Sequence, residues 1–245
     1  GGRPSAAGHK NAGKKGRAVK EIDTGRIEFL GLDRVLKRGT GEILCRQETA
    51  LLVRDIVSGA VLLACDDASA GLSVLERHLD GSCRLLMVSD LSLGRTAFER
   101  YGFSEALTCF QAAYYGDPPA PDPRFLVRTA GPDDLPLLLS CYDLISPEEL
   151  EQVVARRSVL LGCVSGQPVG FIGGHLEGSM GLLYIFPEFR RRGYGAALEN
   201  RLIAKTLKAG FVPFGQVEAG NAGSLRLQKR LGMTLSDKPI LWMWK

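Results

Sequence analysis

The sequence predicts a mixed α/β fold, and three observations predict it. From about residue 125 to the end, apolar runs of strand length alternate with segments whose apolar residues recur at helical spacing. A proline-rich stretch from Gly116 to Pro123 separates that region from an equally apolar one before it. With 45% apolar residues among 245, each region holds enough to fill a core.

The chain begins with a basic leader, residues 1 to 21, expected to be disordered. Residues 1–20 carry Arg3, Lys10, Lys14, Lys15, Arg17 and Lys20, no acidic residue and no apolar periodicity. The net charge of +4 therefore belongs to the leader, since the remainder holds 25 basic against 27 acidic residues, and no nucleic-acid partner is expected. The leader lacks the continuous apolar core of a secretion signal, and no later segment reaches the roughly 18 uninterrupted apolar residues of a membrane span. The chain reads as cytoplasmic, without membrane contact. Six cysteines, never at C-x-x-C spacing and mostly within apolar runs, read as buried reduced thiols. With only three histidines in the chain, no metal site is suggested.

A first domain is expected over 22–116, a linker over 117–123, and a second domain over 124–245. Four prolines within Gly116–Pro123 deny backbone donors, so neither a helix nor a central strand crosses it. In the second domain Phe125 to Arg128 reads as a strand, and Asp133 or Asp134 as the cap of a helix through Leu135, Leu138, Leu139 and Tyr142. Pro147 opens a helix ending near Arg157. Ser158–Val164 and Val169–Leu176 read as strands joined by the hairpin Ser165-Gly166-Gln167-Pro168. Met180 to Phe186 is a further strand. Leu198, Leu202, Ile203 and Leu207 then mark a helix of about four turns closed by Gly210. Phe211–Val217 reads as a strand, Ala222–Leu231 as a helix ended by Gly232, and Ile240–Trp244 as the last strand. Ala97–Phe103 echoes Leu227–Met233, each a helix end with a capping glycine near the close of its half, which suggests a duplicated fold.

The stretch Ile185-Phe186-Pro187-Glu188-Phe189-Arg190-Arg191-Arg192-Gly193-Tyr194-Gly195-Ala196 carries the chemistry. A strand stops at a proline, turns through an Arg/Gly loop and opens into a helix, whose unpaired N-terminal donors and positive dipole end suit a pyrophosphate. With the later Asn221-Ala222-Gly223-Ser224 and Leu231-Gly232-Met233, this resembles the GNAT superfamily of acyl-CoA N-acyltransferases over about residues 125–245. Arg190, Gly193 and Gly195 match the family's loop pattern, and Asn221 and Ser224 its later helix. The run Gly210–Val217 and the tryptophan-bearing end resemble the glycine N-acyltransferase-like branch, which carries a smaller, degenerate N-terminal half of the same fold.

The resemblance implies a site. The strands around Leu182–Phe186 and Pro213–Glu218 splay, and pantetheine lies between them, held by backbone groups of Tyr184, Ile185 and Phe186. The N–H groups of Arg191, Arg192, Gly193, Tyr194, Gly195 and Ala196, with Arg190, hold the pyrophosphate; Asn221 reaches the pantetheine arm and Ser224 is a cap or minor contact. For catalysis, His175, Glu177 and Ser179 share strand parity, which places Glu177 as the base, through a water, with His175 as its alternative. Many relatives carry, where this chain has Gln228, a tyrosine that protonates the leaving thiolate; here Tyr184 or solvent would serve. In the first half the strand Ala60–Cys65 runs into Asp66 and Asp67, which would repel pyrophosphate, so that half is expected to bind no CoA and to pack on the second. The expectation is an acyl-CoA-dependent N-acyltransferase, using acetyl-CoA or another acyl-CoA and no metal, that acts on a small amine or amino acid by direct attack in a ternary complex. A homodimer is compatible with it, and a non-catalytic CoA-binding module is the alternative.

Overall fold

The computed structural model describes residues 21–245, so the leader lies outside the described residues but for Glu21. The chain makes α1 (Leu30–Lys37), β1 (Gly41–Arg46), β2 (Ala50–Asp55), β3 (Val61–Cys65), α2 (Ala68–His78), β4 (Leu85–Val88), α3 (Leu91–Tyr101) and β5 (Glu105–Ala113). Beyond the prolines follow β6 (Leu126–Thr129), α4 (Leu135–Cys141), α5 (Pro147–Ala155), β7 (Val159–Val164), β8 (Gln167–Gly174) and β9 (Met180–Ile185). The last elements are α6 (Tyr194–Lys208), β10 (Phe214–Glu218), α7 (Ala222–Arg230), the two-residue β11 (Thr234–Leu235) and β12 (Ile240–Trp244).

Local chemistry accounts for most of these boundaries. Ser165 and Gly166, at φ 49° and 79°, form a two-residue turn with both residues left-handed, which matches the twist of the β7–β8 hairpin. Ser146 caps α5 by accepting the Glu149 N–H, with Pro147 at the first helical position. Gly210, at φ 83°, closes α6. Two expectations need correction. Asp134 does not cap α4 forward: its carboxylate turns back to the Gly131 N–H and pairs with Arg128. The strand expected from Phe211 begins only at Phe214, because the Phe211 N–H closes the preceding helix on the Thr206 carbonyl and Pro213 has no N–H to give.

The strands form one continuous sheet in the order β1-β2-β3-β4-β12-β5-β10-β9-β8-β7-β6, with β11 against β5. Helices α1, α4 and α5 pack on one face; α2, α3, α6 and α7 cover the other. On each side of the prolines the same order recurs: three antiparallel strands, a helix, then a strand parallel to the third. Strand pairing nevertheless crosses the linker. The C-terminal β12 lies between β4 and β5, and β5 pairs with β10. Arg34 of α1 adds a polar tie, donating to the Gly178 and Val212 carbonyls and lying over the rings of Phe211 and Phe214 at 4.8 and 5.1 Å.

Candidate active site

The Arg/Gly loop sits at the end of β9. Pro187–Phe189 make one 3₁₀ turn, after which Arg191 and Gly193 both adopt left-handed conformations, at φ 60° and 85°. Gly193 is the N-cap of α6 and has no side chain to bond its first turn, so the N–H groups of Tyr194, Gly195 and Ala196 point outward without intrahelical partners. Arg190, Arg191 and Arg192 are exposed around them. A Cβ on Gly195 would meet Ile185 and Leu183 only at 3.8 Å, so internal packing does not demand glycine there; what it keeps clear is the approach to the backbone. A cavity of about 490 Å³ lies between this loop and the linker, where Tyr194 stacks on Phe125 with ring centroids 5.3 Å apart.

β9 and β10 part beside the loop. Their parallel pairing consists of one residue pair, Met180 with Gly215, whereas β3 and β4 on the other side of the linker keep three. A bulge accompanies the parting: Leu182 and Leu183 both stand opposite Ile172 of β8, and Leu182 takes φ 54°, which turns β9 away from β10. Gly215 is required where the strands do touch, since a Cβ would lie 2.7 Å from the Met180 carbonyl oxygen.

A cavity of about 90 Å³ fills the gap, with Glu199 of α6 and Ser224 and Gln228 of α7 on its helix side. Glu199 and Gln228 are both buried, and the Gln228 amide donates to Glu199 Oε1 at 2.6 Å. Glu199 Oε2 and Gln228 Oε1 have no hydrogen-bond partner among the described residues. Burial pushes the Glu199 carboxyl up to about 7, against the smaller opposing effect of the Gln228 hydrogen bond. Sequence reasoning missed Glu199, although a carboxylate directly after Leu198 and before Leu202 and Ile203, inside the apolar stripe of α6, was its signal.

On the opposite face of the sheet lies a cavity of about 550 Å³. It shares Met180, Gly181 and Gln216 with the gap, so the two spaces meet where the strands separate. His175 and Glu177 line it. They do so from a turn rather than a pleat: β8 ends at Gly174, and His175–Ser179 form a tight reversal with Gly178 at φ 100°. Glu177 is buried and accepts from the Ser179 hydroxyl, while His175 Nδ1 lies 3.4 Å from Glu149 Oε1. Burial alone would lower the His175 pKa; the Glu149 hydrogen bond and the charges of Glu177 and Glu149 together raise it. Cys109, the thiol on this cavity, is pushed up to about 12 by burial and offers no thiolate.

The other expected residues divide. Phe186 spends its N–H on the Val169 carbonyl, and the Ile185 carbonyl accepts from Arg190 Nε at 3.0 Å, which engages the Phe186 donor and one of the two lone pairs of the Ile185 oxygen. Tyr184 packs against Tyr142, Phe171 and Phe186 beneath the Arg190 guanidinium and lines neither the gap nor the larger cavity. Asn221 is an exposed helix cap, its Oδ1 accepting the Ser224 N–H at 2.9 Å. In the first half, Asp67 caps α2 with its own carboxylate and Asp66 pairs with Arg26. Among the described residues no group of three or more metal-ligating side chains forms, the six cysteines are free, and no helix is long and apolar enough to cross a membrane.

Residues 127–233 match the model of the acetyltransferase (GNAT) family. A stretch of 80 residues, 33% of the chain, is 31% identical to the uncharacterized N-acetyltransferase YafP of Escherichia coli, and spans only about half, 53%, of that relative. Among solved structures, a Drosophila protein aligns over 90% of both chains with a TM-score of 0.65 at 18% identity. A GCN5-related N-acetyltransferase from Kribbella flavida aligns over 90% of this chain and 94% of its own, with a TM-score of 0.56 at 14% identity. At such identities these structures establish the fold.

Proposed function

We propose, from the match of residues 127–233 to the acetyltransferase (GNAT) family, that the chain transfers the acyl group of acetyl-CoA, or another acyl-CoA, to an amine by direct attack. One observation carries the reading: an uncapped helix N-terminus ringed by three arginines adjoins the place where two parallel strands are held by a single residue pair. The first suits a diphosphate, the second an amide-bearing arm laid between strands. The acceptor cavity meets this gap at Met180, Gly181 and Gln216, so amine and thioester can be brought together without a covalent enzyme intermediate.

Glu177, with His175 beside it, takes the proton that the acceptor ammonium must lose before its nitrogen bonds to the acyl carbon. As the carbon–sulfur bond breaks, the thiolate needs a proton, and Glu199, on the lining of the gap, is the group proposed to give one, since Gln228 holds one carboxyl oxygen and leaves the other buried without a partner. This assigns to Glu199 the task that relatives give to a phenol at the Gln228 position. The first half is proposed as a degenerate copy without a CoA site: its corresponding parallel pair is closed and its helix N-terminus is filled by Asp67.

Isothermal titration with acetyl-CoA tests the reading. Gly195→Glu is the informative variant, because the added Cβ has room and an acidic residue in a first helical turn is favourable, yet its charge opposes a diphosphate. The expected outcome is an unchanged melting temperature with acetyl-CoA affinity reduced by a factor on the order of 10². Unaltered affinity in a folded Gly195→Glu protein refutes the site. Tight acetyl-CoA binding without product from any amine supports the non-catalytic module instead.

A further inference from the structure

The larger cavity is acidic on balance, with three carboxylates against the single imidazole of His175. Glu149, Glu177 and Glu218 all line it, and neither a lysine nor an arginine does. Arg34 is held by the Gly178 and Val212 carbonyls and does not line the cavity, although its charge reaches Glu177. Apart from Ser146, His175 and Gln216, the rest of the wall is mostly apolar. Trp242 and Trp244 of β12 share a face and stand beside Leu107 of β5 and Leu85 of β4, so an apolar floor runs across β5, β12 and β4. Trp244 is 38% exposed and Leu144, also on the cavity, 78%; both are large apolar side chains left uncovered at the rim.

Resting on the transferase reading, we infer that the acceptor is a primary amine with an apolar body and no carboxylate next to the reacting nitrogen, its ammonium end toward Glu177 and its body along Trp242 and Trp244. A cation is drawn in by the three carboxylates, and an apolar body gains by covering the tryptophans. An α-amino acid would bring a further carboxylate to a wall that already holds three, has no lysine or arginine on it, and has its one imidazole paired with Glu149, which costs binding. The volume of about 550 Å³ suits a ligand with a ring or a medium alkyl chain rather than glycine.

The test compares 2-phenylethylamine, phenylalanine and glycine as acceptors with saturating acetyl-CoA, following thiol release, alongside calorimetry with acetyl-CoA alone. The expected kcat/KM for 2-phenylethylamine exceeds that for either amino acid by a factor on the order of 10². Two variants sharpen it. Trp244→Ala, at a half-exposed strand end, should raise KM for the amine about tenfold without changing acetyl-CoA affinity. Glu218→Lys, at an exposed position, should lower kcat/KM for 2-phenylethylamine and raise it for phenylalanine. Equal or better use of either amino acid, or acetyl-CoA binding with no turnover of 2-phenylethylamine, overturns the acceptor class while leaving the CoA site standing. Absence of acetyl-CoA binding removes the transferase reading itself.

Discussion

Glu199 is the residue at which energetics and chemistry are most tightly joined. Its carboxyl titrates at about 7 in the folded protein against 4.5 as its ordinary value, so the folded state holds that proton more tightly than the unfolded chain. The resulting stabilisation is complete below the ordinary value and is lost as pH rises through about 7, a change of roughly 3 kcal/mol across the window. Glu199→Gln has no proton to lose and can bond the unpartnered Gln228 oxygen with its own amide. Melting curves between pH 5 and pH 8 are therefore expected to fall for the parent and stay nearly level for the variant; parallel curves would show that the carboxyl does not titrate there. Turnover adds an independent readout. If Glu199 delivers the proton to the thiolate, kcat should fall above about pH 7 in the parent, while Glu199→Gln should lose that limb and about 10² to 10⁴ in rate. A purely structural pair would alter stability and leave the shape of the rate profile alone.

Among the elements, α7 is held by its cap. Asn221 satisfies the Ser224 N–H, and α7 in turn presents Gln228 to Glu199. Asn221→Ala is expected to cost about 1 kcal/mol in denaturant unfolding, and Asn221→Ser to restore it. The serine variant should also keep acetyl-CoA affinity; a loss there with stability intact would mean that the asparagine side chain itself meets the ligand. Elements such as α5, α6, α7 and the β7–β8 hairpin were legible in the sequence because their signals are local: Ser-Pro at a start, glycine after an end, Ser-Gly between alternating strands. The Arg/Gly loop that opens α6 was legible for the same reason. The bulge was not, since Leu182 is an ordinary strand residue in sequence and its left-handed conformation shows only in the register with β8, as does the engaged Phe186 amide. Glu199 was half legible: its place in an apolar stripe shows from spacing, but its partner on another helix does not.

For the whole molecule, the decisive arrangement is the exchange of final strands across the linker. The run Ile240-Leu241-Trp242-Met243-Trp244 announces a strand buried on both faces, but nothing in it names its neighbours, and it leaves the second half to sit between β4 and β5. Ile240, Leu241, Trp242 and Met243 are all at least nine-tenths buried there. At about 1.5–3 kcal/mol for each, their burial is worth on the order of 6–12 kcal/mol, comparable to the whole stability of an ordinary domain. Neither half should survive alone. A chain ending at residue 239 would leave β4 and β5 as facing open edges within the core of the first half, and a fragment 124–245 would expose the apolar β12 while β10 lost its β5 partner. The expected outcome is that fragments 21–116 and 124–245 each aggregate when expressed singly, yet yield soluble complex when co-expressed. The intact chain should unfold in one cooperative transition. A fragment 124–245 that alone gave a dispersed amide spectrum would show that β12 can find a place in its own half, and that the first half adds an acceptor wall without being needed for the fold.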